Sequence, residues 1–250
     1  MAAVASTSEL PEAVTEFVDD ERVIAARLSA FLERCGAEAS AVKSLRRFPA
    51  GFSWLTYEVG FEAASAPPLI LRIGSPRGTM APYTAEPEYL ALRSLEGSAI
   101  LAPRALWYSD DFGILGAPFI VSEKMEGRTP LLWEMGKRPE RERGRIAAEF
   151  TDILCVLHDL DWTRAPISCL GEGASRENAA LRQIDHWQER IERWSLRPHA
   201  ILAWTFQWLR AHVPVAPRLT VVHGDYPGRQ FPRAREPDLG DPRLGADPRR

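Results

Sequence analysis

The chain has 250 residues, 45% of them apolar, and a formal net charge of −3 at pH 7. That length and apolar content suit one large domain or two lobes with a full core, and the mild charge gives no general reason to expect nucleic acid or an anionic membrane as a partner. Cys35, Cys155 and Cys169 lie far apart with no Cys-x-x-Cys pair, which argues against a zinc site or disulfide framework and suits a reducing cytoplasm. No run approaches the roughly 18 apolar residues of a membrane span, and the N-terminus lacks a basic targeting region, so the expectation is a soluble cytoplasmic protein.

Residues 1–18 are small and acidic and read as a flexible arm. Asp19 or Asp20 can cap a helix running to about Arg34, with Val23, Ile24, Leu28, Phe31 and Leu32 on one face and Gly36 ending it. The period then changes to two. Val42–Phe48, Trp54–Phe61 and Leu69–Ile73 read as strands, the first two joined by Pro49-Ala-Gly-Phe-Ser53. A helix follows from about Pro87 to Leu95, since proline is tolerated in a first helical turn. Ala105–Ser109 and Pro118–Lys124 are two further strands, separated by the turn-forming Asp110-Asp-Phe-Gly113.

The second half is helical. Glu140–Leu160 carries Ile146, Phe150, Ile153, Leu154 and Leu157 at helical spacing, with Cys155 expected to be buried among them. Ala179–Trp194 and His199–Val213 follow, the latter with Ile201, Leu202, Thr205, Trp208 and Leu209 on one side. Trp187, Trp194, Trp204 and Trp208 are expected to be core rather than a ligand box. Leu219-Thr-Val-Val-His-Gly-Asp-Tyr226 is then a β-branched run read as a buried strand, ending where Asp225 meets a loop. A carboxylate in such a place can take a proton from a substrate hydroxyl, although the tripeptide alone reads more readily as a strand followed by an ordinary Gly-Asp turn.

Strands with one embedded helix, then a connector, then helices and a His-Gly-Asp loop make an uncommon order. From Val42 to Tyr226 the chain resembles the aminoglycoside-phosphotransferase-type branch of the protein-kinase-like fold. The resemblance implies an α+β, two-lobed protein-kinase-like architecture: an antiparallel N-lobe sheet plus helix over 19–125, and an incomplete helical C-lobe over 126–226. Ala50-Gly51-Phe52-Ser53-Trp54-Leu55-Thr56-Tyr57 resembles the family's nucleotide-covering hairpin, with Gly51 and Ser53 near the phosphates, and an ordinary hairpin glycine is the alternative. In Leu69-Ile70-Leu71-Arg72-Ile73, alternation puts Arg72 on the face away from Leu69, Leu71 and Ile73. Arg72 matches the family's phosphate-holding cation, with Glu88 as its matching partner and Glu86 as the alternative; a strand-end arginine reaching solvent is the plainer reading.

Gly116–Arg128 resembles the strand and linker joining the lobes, where adenine would bond to backbone groups around Glu123–Met125. His158-Asp159-Leu160-Asp161-Trp162 resembles a helix end of the family, with His158 structural near a helix C-terminus. Asp225 matches the residue that orients and deprotonates the substrate hydroxyl. Five residues on, the family has a metal-binding Asn, and later a Leu-Asp-Trp segment whose Asp holds Mg²⁺; here stand Gln230 and no such segment, so no metal site is intact.

Residues 227–250 are mostly Pro, Arg, Asp and Gly with no apolar period, a composition that suggests disorder. They also fit a reading frame shifted by one extra nucleotide just after the Tyr226 codon. Pro-Gly-Arg-Gln-Phe231 can be CCG-GGT-CGG-CAA-TTT, which without one C reads CGG-GTC-GGC-AAT-TTC, or Arg-Val-Gly-Asn-Phe. In the same frame Asp241-Pro-Arg-Leu-Gly245 permits ATC-CTC-GAC-TGG-GAG, or Ile-Leu-Asp-Trp-Glu. Two of every three bases are fixed by the protein sequence, so both segments in one frame and in order are hard to obtain by chance.

The expected function is therefore that of an ATP- and Mg²⁺-dependent O-phosphotransferase of a small-molecule hydroxyl, impaired in this form. The alternative is a non-catalytic nucleotide-binding or scaffold protein derived from the same fold. Arg72, Glu88 and Asp225 are expected to line one cleft with Gly51 above it, and the incomplete helical lobe to leave part of the Trp204/Trp208 face uncovered.

Overall fold

The computed structural model describes residues 17–49, 54–75, 83–126, 136–164 and 166–224. Gly51, Ser53, Asp225, Gln230 and the tail from Pro227 lie outside the described residues, as does most of the N-terminal arm. The chain divides between Lys137 and Arg138 into two compact units, each taken here by itself.

The first unit is built on a five-stranded antiparallel sheet. Its strands are β1 (Val42–Arg47), β2 (Trp54–Phe61), β3 (Leu69–Gly74), β4 (Ala105–Ser109) and β5 (Phe119–Glu123), in the order β1-β2-β3-β5-β4. The central strands show why the alternation was readable: Tyr57, Val59, Leu69, Leu71 and Ile73 are buried, while the residues between them are half-buried. Helix α1 (Glu21–Arg34) supplies the cover for that face. Asp20 caps it, accepting the Arg22 N–H at 2.8 Å, and Ile24, Leu28, Phe31 and Leu32 form its buried stripe. Phe31 meets Phe119 edge-on at 4.9 Å, so helix and sheet share one core. Phe17 already packs against this core, and the buried Tyr57 hydroxyl donates to Asp19 at 3.2 Å, tying the approach to α1 onto the sheet. Burial, with the Asp19 charge behind it, pushes the Tyr57 phenol up to about 12.

Helix α2 (Glu86–Ser94) follows β3, with Pro87 in its first turn. The Asp110-Asp-Phe-Gly stretch is more than a turn. Asp111 caps a short helix α3 (Phe112–Leu115), which Gly116 closes at φ +80°, and Leu115 enters the core beneath α1.

The second unit contains α4 (Glu140–His158), a 3₁₀ turn at Ile167–Gly171, α5 (Ala179–Trp194) and α6 (Ala200–Ala211). Three sequence expectations are corrected here. Cys155 is exposed: α4 turns Ile153 and Leu157 inward, and a residue two places from both points to the opposite side. Trp187, Trp194, Trp204 and Trp208 are not core, being 37% to 66% exposed. Helices α5 and α6 have each other as main neighbour, so only one strip of each surface is covered, and neither contains a buried residue. Finally, residues 219–222 form no strand, and Val222 is 70% exposed. Their β-branched side chains have no neighbouring strand to pair with among the described residues of this unit. Among the described residues, no helix is long and apolar enough to cross a membrane.

Candidate functional site

The chemistry available to the first unit collects on the sheet face away from α1. Arg72 lies on β3 opposite Thr56 of β2 and Ile120 of β5, a cation between apolar strands with its side chain 36% exposed. Such a group needs a partner to stay where it is. Glu88, in the first turn of α2, takes the guanidinium in a hydrogen-bonded ion pair. Glu86 does not; it accepts the Tyr108 hydroxyl at 3.1 Å instead. Desolvation, followed by that bond, pushes the Tyr108 phenol up to about 12.

Arg72 is braced from a second side. Its guanidinium carbon lies 5.4 Å from the centroid of the Trp54 ring, within cation–π range. Trp54 in turn meets Tyr83 at 5.2 Å, and Tyr83 passes over Gly74, where an added Cβ would come within 2.7 Å of the Tyr83 Cβ. A bare glycine at the end of β3 is what lets this aromatic pair form. Sequence reasoning missed Trp54 and Tyr83. The signal for Trp54 was present: pairing Thr56 with Arg72 puts Trp54, two residues back, on the same face and diagonal to the arginine.

Beyond β5 the chain continues through Lys124 and the half-buried Met125. Glu123 ends β5, its N–H bonded to the Arg104 carbonyl at 3.0 Å and its carboxylate 3.2 Å from the Arg104 guanidinium. Lys124 Nζ reaches Glu58 at 3.0 Å, and Glu58 also takes Arg46. The Lys124 hydrogen bond, joined by Arg46, holds the Glu58 carboxyl below its ordinary range. Glu58 thus ties the segment after β5 to the middle of β2.

In the second unit, the residues before His223-Gly224 are held by the end of α4. Arg218 pairs with Asp159 at 2.8 Å, Trp162 Nε1 donates to the Leu219 carbonyl at 3.2 Å, and Thr220 donates to the His158 carbonyl. Trp162 has room for this because Gly171 carries no side chain; a Cβ there would sit 2.6 Å from its ring. The His158–Trp162 stretch therefore anchors the chain that leads to Asp225 through side-chain bonds rather than through a strand ladder. Gly224 adopts φ +78°, the left-handed region open to glycine. Among the described residues no group of three or more His, Cys, Asp and Glu side chains could hold a metal ion.

Comparison with known proteins agrees with this geometry at the level of family and fold. The mouse acyl-CoA dehydrogenase family member 10 is 26% identical over 196 residues, which is 76% of this chain and 17% of that protein. The human acyl-CoA dehydrogenase family member 11 is 23% identical over 224 residues, 88% of this chain and 28% of that one. The chain thus spans less than a third of the length of these relatives. A crystal structure from Ralstonia eutropha, assigned as an aminoglycoside phosphotransferase, superposes with a TM-score of 0.55 at 20% identity, covering 80% of this chain and 57% of the other. That likeness shows a shared fold, mixed helix and sheet on a five-stranded antiparallel base. The family model described as "Phosphotransferase enzyme family" matches residues 44–228, and the chain belongs to that family.

Proposed function

We propose that this chain derives from an ATP-dependent O-phosphotransferase acting on a small-molecule hydroxyl. The observation that carries the reading is the Arg72–Glu88 pair on β3 and α2, with Trp54 stacked behind it. It presents a fixed, half-exposed guanidinium, and a planar fork of donors suits phosphate oxygens. In this reading Arg72 holds the α- and β-phosphates, Gly51 and Ser53 cover them, and backbone groups around Glu123 and Met125 receive the adenine. Asp225 orients the acceptor hydroxyl and takes its proton as the oxygen bonds to the γ-phosphorus and ADP leaves. Among possible acceptors, namely antibiotics, hydroxy acids, choline-like alcohols and hydroxyacyl thioesters, the names of the mammalian relatives put the last first for assay.

The residues present do not fit a Mg²⁺ site. Gln230 is neutral, the Leu-Asp-Trp segment that should follow it is not in the sequence, and among the described residues no cluster replaces the pair. Turnover by the chain as it stands is therefore impaired. The cause proposed is a reading frame shifted after the Tyr226 codon. Besides the codon arithmetic, this is supported by the family match itself, which stops at residue 228. Sequencing the gene tests the shift: an alternative frame lacking Asn at codon 230 and Leu-Asp-Trp near codon 243 would falsify it. Removing the extra nucleotide tests the function. The restored protein should transfer phosphate from ATP to a hydroxyl acceptor, and Asp225→Ala should abolish turnover while leaving nucleotide binding largely intact. A restored protein that binds nucleotide but transfers nothing to any acceptor class favours the non-catalytic alternative.

A further inference from the structure

Helix α2 carries Glu88, so whatever fixes α2 fixes the hold on Arg72. The helix begins after Ala85, which is 0% exposed and whose methyl side chain cannot cap it. A buried N–H at a helix start has no partner within its own helix and needs an acceptor from elsewhere. Here it comes from far along the chain. Asp110, just past the end of β4, accepts the Ala85 N–H on Oδ1 at 2.6 Å and the Glu86 N–H on Oδ2 at 3.3 Å. One carboxylate thus spans the amide of the N-cap residue and the first amide of α2, where the helix dipole also favours a negative charge.

The rest of that contact has the same origin. β4 is the strand against which α2 packs, and Tyr108 on it reaches Glu86 while its ring lies 4.5 Å from that of Tyr89. Both the axial position and the rotation of α2 are set at its first turn, within three residues of Glu88. Glu88 makes a hydrogen-bonded pair, whose strength depends on position and direction to within a few tenths of an ångström. Releasing the first turn would let Glu88 drift from the guanidinium, leaving Arg72 to its Trp54 contact alone.

We infer that Asp110 is a positioning residue for Arg72: it clamps the start of α2 so that Glu88 aims the guanidinium at a nucleoside diphosphate. The inference rests on the reading of Arg72 as the phosphate-holding cation. No motif in the sequence marks Asp110 for this role; the register of β4 and the turn after it bring the carboxylate to Ala85.

The test is calorimetric titration of the whole chain with ADP, using wild type, Arg72→Met, Glu88→Gln, Asp110→Ala, Asp110→Asn and the Asp110→Ala/Glu88→Gln double variant. Hydrogen exchange of the β2 and β3 amides checks in parallel that each variant's sheet is intact. Asp110→Ala should weaken ADP binding about fivefold, the factor to which one lost cap corresponds. Asp110→Asn keeps an acceptor for the Ala85 N–H and should recover most of the loss. In the Glu88→Gln background, Asp110→Ala should add little, because what it positions is already gone. Unchanged affinity in Asp110→Ala, with Arg72→Met weakened, overturns this inference and leaves the proposed function standing. So does a loss that adds fully to that of Glu88→Gln. If wild type does not bind ADP, or Arg72→Met binds as wild type does, the reading of Arg72 fails and the inference falls with it. Should Asp110→Ala unfold, Asp110→Asn and Asp110→Ser carry the same comparison.

Discussion

Breaking the Arg72–Glu88 pair should have a cost that depends on which partner is removed. The side chains are 36% and 29% exposed, so the pair lies between two regimes. Fully exposed pairs contribute roughly 0.2–1 kcal/mol, while removing one partner of a buried pair costs about 3–5 kcal/mol. A coupling energy of about 1–2 kcal/mol is expected from a double-mutant cycle through Arg72→Met, Glu88→Gln and both together. The single losses should be unequal. In Arg72→Met the Glu88 carboxylate still benefits from the first turn of α2, where the helix dipole contributes roughly 0.3–1 kcal/mol. In Glu88→Gln that contribution goes as well, offset in part by the Trp54 face left for Arg72. To read the first unit by itself, the measurement should be hydrogen exchange of the slowest β2 and β3 amides, which reports global opening of that unit. A coupling below about 0.3 kcal/mol would mean that the pair does not persist in solution, and the positioning of Arg72 would lose its basis.

Other expectations follow from single contacts. With the Tyr57 and Tyr108 phenols both pushed up to about 12, the folded state holds these protons more tightly than the unfolded chain. Their stabilisation is complete below about pH 10 and is lost as pH rises towards 12; a spectrophotometric titration in which all tyrosines ionise together near 10 would refute this. Glu58 works in the opposite direction: its lowered carboxyl stabilises above its unfolded range and loses that effect as pH falls, so Glu58→Gln should flatten the acid limb of the first unit's stability. Gly74→Ala must displace Tyr83 and should destabilise by about 1–3 kcal/mol, with an altered Trp54 fluorescence; a silent substitution contradicts the packing described. The exposed tryptophans of α5 and α6 should make the chain bind hydrophobic dyes and associate with rising concentration, whereas a monodisperse species that melts cooperatively at high concentration argues otherwise.

What the sequence disclosed, and what it withheld, divides along physical lines. Period-two alternation is a local signal, so Trp54–Phe61 and Ala105–Ser109 were readable to the residue and Leu69–Gly74 nearly so. Capping is local too: Asp19 or Asp20 marked the start of α1, and Asp20 is the cap. Arg72 stood out as a cation on an apolar strand, and the family resemblance brought Glu88 forward as its partner, with Glu86 as the alternative. Choosing between them needed the rotation of α2, which Asp110 and Tyr108 set from far along the chain. Burial of the tryptophans failed for a related reason: an apolar residue on a helix shows what could be covered, and not whether a neighbour covers it. Leu219–Val222 misled in the same way, since β-branching favours a strand only where another strand stands beside it. The Trp54–Arg72 stack lay between these cases, hidden until the register of β2 on β3 was fixed.

The most direct measurement is the difference in affinity between ADP and adenosine, taken on wild type and on Arg72→Met. Charge-assisted hydrogen bonds contribute about 1.5–3 kcal/mol each, so wild type should prefer ADP by roughly 10- to 150-fold. In Arg72→Met that preference should largely vanish while adenosine binding stays as it was. Wild type binding the two alike, or Arg72→Met keeping the full preference, would mean that the phosphates are not held at the Arg72–Glu88 pair and would contradict the proposed function at its base.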